Sequence, residues 1–273
     1  MQTFNLAELV SDRRRSSVIL PPIADSQGAQ LEYLRELRTM LRGIAAEVKQ
    51  NILPAAETEL ATARDRLQRD MNIRAFDLLA AVARGLANIA EQLVERILRA
   101  ETRRHRRKWL QSVRSALGID IAAVVREEDL EWFLETSVTR NVGLIRRLAD
   151  DTVAAVQTAV TNAILRGRTA PQLRKDLTGL FGISDRRAKT IARDQISKVT
   201  SDLNRKRHEQ AGITEYVWMT SQDERVRSLH LSLEGKEYKY AEPTGAEQGL
   251  PPGQPINCRC IAKGIIRFNG IRI

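Results

Sequence analysis

The sequence predicts a mainly α-helical protein, in which a long-helix body is followed by a small C-terminal α+β module. Aromatic residues make up only 4% of the chain, which suits helices packed through Leu, Ile, Val and Ala better than a β-sandwich. Apolar residues recur every three or four positions through most of the chain, whereas the alternation typical of strands is confined to its last part. The composition changes near residue 200, which predicts a helical body over 26–200 and the module over 201–273.

The N-terminal half predicts an arm and two helices. Residues 1–25 are expected to form an extended arm, because the pair Pro21-Pro22 blocks a helix. An amphipathic helix is predicted over Leu31–Ile52, and Pro54 is expected to end it. A second apolar stripe runs from Phe76 to Ile97 and can be continued through Trp109, Val113 and Leu117 to Gly118. It predicts one helix of roughly 40 residues, which needs a partner for its apolar face.

The C-terminal half predicts further helices and then strands. A third helix is expected over about 127–166. Thr169 is expected to cap a short helix, and Ser184 to cap the next one, which stops at Gly212. After it, strands are predicted over Thr214–Thr220, Gly235–Tyr240 and Cys258–Phe268, with a Pro- and Gly-rich loop over Glu242–Pro255.

Charge and cysteine content limit the classes of protein. The formal net charge is +10, which favours polyanionic partners such as nucleic acid or an acidic protein surface. There is no apolar run long enough to span a membrane and no secretory signal pattern, so we expect a protein made in a cytoplasm. Cys258 and Cys260 are one residue apart. Such a pair makes a poor structural disulfide, which leaves free thiols or a metal site.

The most specific signal is an ordered set of short motifs. It comprises Arg187-Ala188 and Ile191-Ala192-Arg193 on a helix, a strand that reaches Trp218, the turn Asp223-x-Arg225-x-Arg227-x-x-His230, Leu233-x-Gly235, and Pro251-Pro252-Gly253 followed by Cys258-Arg259-Cys260. This order resembles the Mu F-like head morphogenesis module of phage minor head proteins. The resemblance is strongest over 186–265.

The resemblance implies a structural component of the phage head rather than an enzyme. Members of this family are virion proteins associated with the portal vertex, so the expected partners are the portal protein, the major capsid protein and packaged double-stranded DNA. Walker A, H-E-x-x-H and G-x-S-x-G motifs are absent from the sequence. Two alternatives stay open: a non-specific DNA-binding protein of the head, and an enzyme that uses the turn from Asp223 to His230.

The family motif residues are interpreted as structural. An acid, a base and two guanidinium groups on one turn could form a catalytic or anion site. However, an Asp and a His without a nucleophile do not define a reaction. We therefore expect Asp223 to cap the turn and to bind an arginine, and His230 to bond a neighbour. The motif residues assigned this structural role are Asp223, Arg225, Arg227, His230, Gly235, Cys258, Arg259 and Cys260.

Zinc bound by His230, Cys258 and Cys260 is an alternative that the sequence does not favour, so no cofactor is expected. Some relatives carry further Cys and His residues in these regions, where this chain has Arg, Ser and Gln254. Moreover, alternate residues of a strand point to opposite faces, so the two thiols would reach one metal ion only if the strand bends.

Two further segments are candidates for binding partners. A basic run late on the long helix could contact DNA phosphates, although a solvated helix face would explain it equally well. Its residues are Arg103, Arg104, Arg106, Arg107 and Lys108. The N-terminal arm is the expected docking segment for a head protein. Its candidate residues are Arg13, Arg14, Arg15, Val18, Ile19 and Leu20.

Overall fold

A computed structural model describes residues 3–10, 15–62, 73–125 and 130–268. The described part is mainly helical with one small antiparallel sheet, as the sequence predicts. Its helices are α1 (Leu6–Leu9), α2 (Gln27–Glu47), α3 (Leu53–Thr62), α4 (Ile73–Leu117), α5 (Glu131–Leu165), α6 (Ala170–Gln210) and α7 (Ser228–Leu231). Its strands are β1 (Ser17–Ile19), β2 (Glu215–Met219), β3 (Glu237–Lys239) and β4 (Ile261–Arg267). None of the described helices combines the length and the apolar composition needed to cross a membrane.

The chain divides into two compact units that differ from the predicted body and module. The sheet unit comprises Met1–Ala29, Leu98–Ser137 and Arg193–Ile273, and the helical unit comprises Gln30–Ile97 and Val138–Ala192. The boundaries therefore fall within α2, α4, α5 and α6. Periodicity could not reveal this division, because an apolar stripe shows that a helix face is buried and not which neighbours bury it.

The core of the helical unit is built largely from the predicted stripes. Leu37 and Ile44 of α2 and Leu79 of α4 are fully buried. Leu31 and Ile89, which belong to the same stripes, are 67% and 57% exposed. Gly43 allows a close approach, because a Cβ atom there would lie 2.6 Å from Leu86 Cδ1.

Pro54 does not end a helix, contrary to the prediction. The helical path continues from α2 through a π-helical turn over Val48–Ile52 into α3. The N–H of Leu53 donates to the carbonyl of Val48 in this turn. A proline within a helix lacks an N–H group and crowds the preceding turn, and a widened turn relieves that crowding. The chain therefore accommodates Pro54 near the start of α3.

The two helices predicted between Thr169 and Gln210 form one continuous helix, α6. Ser184 is buried, and its Oγ lies 3.1 Å from Thr152 Oγ1 of α5. A serine whose hydroxyl finds a tertiary partner no longer competes with the helix for backbone groups. The predicted cap at Ser184 was wrong for this reason, whereas Gly212, which has a φ of 74°, follows the end of the helix as predicted.

The sheet has the strand order β1-β4-β2-β3, and every neighbouring pair is antiparallel. β4 is central and pairs Ile265 with Glu215 of β2 and with Ile19 of β1. The N-terminal segment is thus an edge of the sheet and not the extended arm that the sequence predicts. Leu6 and Leu20 are buried in a cluster with Trp109, Val113 and Ile266. This apolar burial is what holds the segment in the sheet unit.

Candidate functional site

The loop between β3 and β4 is held along one face of α6. Ser201 Oγ donates to the carbonyl oxygen of Pro252 at 2.6 Å, and Gln254 Nε2 donates to Asp202 Oδ1 at 2.6 Å. Gly253 has a φ of 83°, and a Cβ atom there would lie 2.8 Å from Ser201 Cβ. Both the backbone conformation and the close approach therefore require glycine at this point of the Pro-Pro-Gly motif.

The next turn of the loop is anchored at Asn257. Its N–H donates to Asp194 Oδ1 at 3.0 Å, and its Oδ1 accepts from the Arg193 guanidinium at 2.8 Å and 3.2 Å. Asp194 also pairs with Lys198 at 2.7 Å. Asn257 has a φ of 58°, a left-handed conformation that asparagine tolerates better than most residues. The helix motif around Arg193 and the cysteine motif are therefore parts of one structure.

Cys258 and Cys260 precede the last strand instead of lying on it. The strand begins at Ile261, so the prediction of a strand from Cys258 was wrong at its start. Because these residues lie outside the pleated strand, the alternation of side chains does not apply to them. Both thiols are buried, and each Sγ lies 3.5 Å from His230 Nδ1.

His230 lies on the short helix α7, and its side chain is buried between several partners. Its ring packs edge-on against Trp218 of β2, with the centroids 5.4 Å apart. Its Nε2 lies 2.6 Å from Glu247 Oε2. The hydrogen bond with His230 holds the pKa of the Glu247 carboxyl below its usual range. A carboxylate accepts and cannot donate, so Nε2 carries a proton and Nδ1 faces the two thiols.

The two thiols differ in their hydrogen-bond environment. Cys258 Sγ accepts from the N–H groups of Gly253 at 3.4 Å and Cys260 at 3.5 Å. The hydrogen bond with the Cys260 side chain and these N–H groups lower the pKa of Cys258, because they stabilise its thiolate. The same hydrogen bond and burial raise the pKa of Cys260. Together with His230, the two cysteines form the one group of potential metal ligands found among the described His, Cys, Asp and Glu residues.

Asp223 ties the motif turn to the cysteine segment. It accepts two hydrogen bonds from the Arg259 guanidinium, one of them at 2.6 Å, and one from the N–H of Arg225 at 3.0 Å. The Arg259 hydrogen bond lowers the pKa of the Asp223 carboxyl. Arg227 donates to the carbonyl of Ile256 at 2.6 Å. The turn is therefore fixed against the segment that carries the two thiols.

Gly235, another residue of the motif set, acts through its backbone. It has a φ of 74°, and its N–H donates to the carbonyl of Trp218 at 2.9 Å. This left-handed position after α7 favours glycine, which explains why the residue follows Leu233 in the motif. The motif residues therefore converge on one small region of the sheet unit.

A cavity of about 130 Å³ opens beside the thiols and the imidazole. Four arginines are among the residues that line it, and His230, Cys258 and Cys260 form part of its wall. Its complete lining is Arg193, Ser221, Arg225, Val226, Arg227, His230, Asn257, Cys258, Arg259 and Cys260. The cavity gives a small ligand or a water molecule access to the buried ligand atoms.

The basic run of α4 is divided between internal and exposed side chains. Arg104 pairs with Glu101 at 2.5 Å and donates to the carbonyl of Ala24 at 2.7 Å, and Arg106 donates to the carbonyl of Val125. His105, which lies between them, is fully buried. The remaining basic residues, Arg103, Arg107 and Lys108, are exposed.

The candidate docking residues of the N-terminal segment are also dispersed. Leu20 is buried, Val18 is half-buried, and Ile19 is 45% exposed within β1. Arg15 is exposed, whereas Arg13 and Arg14 lie outside the described residues. The described part of this segment thus belongs to the sheet unit, and docking through it stays a prediction.

Sequence reasoning assigned no role to three residues that complete the site. Glu247 orients His230 from 17 positions away, and Asp194 and Asn257 bring the cysteine segment onto α6. The Glu247 side chain is in a loop rich in Gly and Pro, where no periodic pattern marks it. The pairing of Asp194 with Asn257 joins positions 63 residues apart, which local spacing cannot reveal.

Comparisons with known proteins support the resemblance seen in the motifs. Residues 154–263 match the family described as "Phage Mu protein F like protein". The chain therefore contains a segment that is similar to Mu protein F. An uncharacterised protein of Haemophilus influenzae is 25% identical over 270 residues, which cover 97% of this chain and 59% of that relative. No solved structure matches the chain.

Proposed function

We propose that this protein is a minor structural component of the head of a tailed bacteriophage, where it acts in head assembly at the portal vertex. The observation that carries the proposal is the match of residues 154–263 to the Mu protein F-like family. The match includes every motif piece that meets around Cys258 and His230. The expected partners are the portal protein and the major capsid protein, and the expected location is the virion.

The interactions of the motif turn favour a structural role over a catalytic one. Asp223 is engaged by Arg259, and His230 is engaged by Glu247 and the thiols. A general acid or base must reach a proton of the substrate, and each of these groups is instead directed at another part of the chain. The turn therefore supports a rigid module better than a reaction.

Co-expression with the portal protein of the same phage tests this proposal. We expect a defined complex on size-exclusion chromatography and native mass spectrometry that survives moderate salt. A parallel co-expression with the major capsid protein distinguishes the two partners. If neither protein forms a complex while duplex DNA binds tightly at low salt, the assembly role is wrong and general DNA binding is favoured.

Binding to packaged DNA is a second candidate function, which the exposed basic residues of α4 favour. Arg103 and Arg107 are four residues apart and are neighbours on the surface of the helix, and Lys108 follows Arg107 directly. Such binding would be non-specific, since contacts with phosphates do not distinguish one base sequence from another. The net charge of +10 would add long-range attraction.

A charge-matched pair of variants tests the binding of DNA by α4. Replacement of Arg103, Arg107 and Lys108 by Gln is expected to reduce the slope of log affinity against log salt by about 0.9 for each phosphate that is no longer neutralised. The control replaces three other exposed basic residues, Arg147, Lys175 and Lys189, by Gln. Equal reductions in both variants would show that only net charge matters and would contradict a site on α4.

A further inference from the structure

His230, Cys258 and Cys260 together have the arrangement of a zinc site. We propose that they bind one zinc ion through His230 Nδ1 and the two Sγ atoms. All three side chains are buried, and the three ligand atoms lie within 4.8 Å of one another. The proposal concerns a metal site within the sheet unit and does not depend on the role in the phage head.

The two distances from His230 Nδ1 to the sulfur atoms fit tetrahedral zinc. Usual bond lengths of about 2.3 Å to sulfur and about 2.0 Å to nitrogen place the two donor atoms about 3.5 Å apart across a tetrahedral angle. The structure has 3.5 Å from Nδ1 to each sulfur. Both thiols reach this position because Cys258 and Cys260 precede β4, so their side chains do not alternate between the two faces of the strand. The geometric objection raised by the sequence therefore does not hold.

The two thiols share a single acceptor on the imidazole. With its proton on Nε2, the imidazole has a single lone pair on Nδ1, which can accept one S–H bond but not two. Two thiols nevertheless point at it. A cation bound among the three atoms would use the lone pair of Nδ1 and both sulfurs at once.

The surroundings of the ligands match those of established metal sites. A metal-bound histidine usually donates its other N–H to a carboxylate, which fixes the tautomer and the orientation of the ring. Glu247 provides this carboxylate at 2.6 Å from Nε2. The N–H groups of Gly253 and Cys260 donate to Cys258 Sγ and would stabilise a coordinated thiolate.

The cavity beside the ligands supplies both an entry path and a fourth position. It measures about 130 Å³ and is bounded by the three ligand residues and by Arg227 and Arg259. Zinc with three protein ligands keeps its remaining position for water or an added donor. Ligands of nitrogen and thiolate type select zinc over the hard cations calcium and magnesium.

Zinc would connect parts of the module that share only a small core. His230 lies on α7, and the cysteines lie 28 and 30 residues later. The apolar cluster that joins these parts consists of Tyr216, Trp218, Leu233, Ala246, Cys258, Cys260 and Ala262. A metal crosslink that exists only in the folded chain stabilises it against unfolding.

The full-length protein, purified without a metal-affinity tag, tests the site. We expect about one zinc per chain by elemental analysis, in line with one set of three ligands. Replacement of zinc by cobalt should produce a thiolate charge-transfer band and the visible bands of tetrahedral cobalt. Chelation should lower the melting temperature, and added zinc should restore it. A protein that purifies without zinc, shows no such cobalt band and melts identically with and without zinc would overturn the proposal.

Paired glutamate variants separate metal binding from a folding defect. Glu247→Gln keeps all three ligands and is expected to weaken zinc binding by about 10- to 100-fold in competition with a chromophoric chelator. Glu242→Gln removes an exposed carboxylate that pairs with Lys239, and it should leave zinc binding unchanged. Cys258→Ser with Cys260→Ser should abolish the cobalt charge-transfer band. Equal affinities in the two glutamate variants would contradict the orienting role of Glu247, and a cobalt band that persists without the cysteines would contradict the site.

Discussion

The sheet unit and the helical unit use buried polar groups very differently. Among the described residues, the buried polar side chains of the helical unit are Asn141, Thr152 and Ser184. The sheet unit buries charged and imidazole groups, among them Glu101, His105, Arg207, His208 and His230. Apolar packing tolerates many sequences, whereas a buried polar network stabilises one arrangement only while each member is satisfied. The sheet unit should therefore be the more sensitive to pH and to single substitutions.

The three tryptophans allow this comparison to be measured. Trp109, Trp132 and Trp218 all belong to the sheet unit. Their fluorescence therefore reports on that unit, whereas far-ultraviolet circular dichroism reports on the helices of both. The two signals together show whether a change acts on one unit or on the whole chain.

The largest expected effect is acid destabilisation of the sheet unit. Burial lowers the pKa of His105 and of His208 to about 3. The unfolded chain binds these protons near pH 6.5, so this stability is complete above about pH 6.5 and is lost as the pH falls towards about 3. Each histidine should lower the free energy of unfolding by about 1.4 kcal/mol for every unit by which the pH falls within that window.

Urea unfolding between about pH 7 and about pH 5 checks this effect, because most carboxylates stay ionised there. Tryptophan fluorescence should show the loss of stability. His105→Gln can still donate to Asn204 and should reduce the pH dependence, because one of the two buried imidazoles is removed. Stability that does not change over this range would contradict the prediction.

The next effect compares one carboxylate from each unit. Asp194→Ala removes the acceptor of the Asn257 N–H and the partner of Lys198, both part-buried, and should destabilise the protein by about 2–3 kcal/mol. Asp185→Ala removes a bidentate pair with Arg38 in which both side chains are more than 40% exposed. That loss should be about 0–1 kcal/mol. Free energies of unfolding from urea titrations decide this comparison, and equal losses would show that the polar interactions around Asn257 contribute no more than a surface pair.

The smallest expected effects come from two glycines and have opposite signs. A Cβ atom at Gly264 would lie 2.9 Å from His208 Nε2, and Tyr240 and Trp109 hold that ring in place. Gly264→Ala should therefore destabilise the protein by about 1–3 kcal/mol. Gly143 lies within α5 and has open space around it, so Gly143→Ala should stabilise by about 0.5–1 kcal/mol. Thermal unfolding measures both, and a destabilising Gly143→Ala would mean that the helical unit is less tolerant than proposed.

Local pattern determined much of the fold. The apolar stripe from Phe76 to Gly118 predicts a single long helix, and α4 spans Ile73–Leu117. Gly212 marks the end of α6, and alternation identifies β2. These features depend on residues a few positions apart, which is the range over which helical and strand periodicity act. The ordered motifs also determined the resemblance to Mu protein F-like proteins.

Only the tertiary structure decided how these pieces combine. Ser184 is buried against Thr152 and does not cap a helix, and the N-terminal segment joins the sheet through β4. Glu247 reaches His230, and both thiols face the same nitrogen atom. Each of these outcomes depends on contacts between residues distant in sequence. Burial and geometry set how much such contacts stabilise the fold. Spacing along the chain contains neither quantity, so the sequence alone determined most of the elements, and the packing of those elements determined the site.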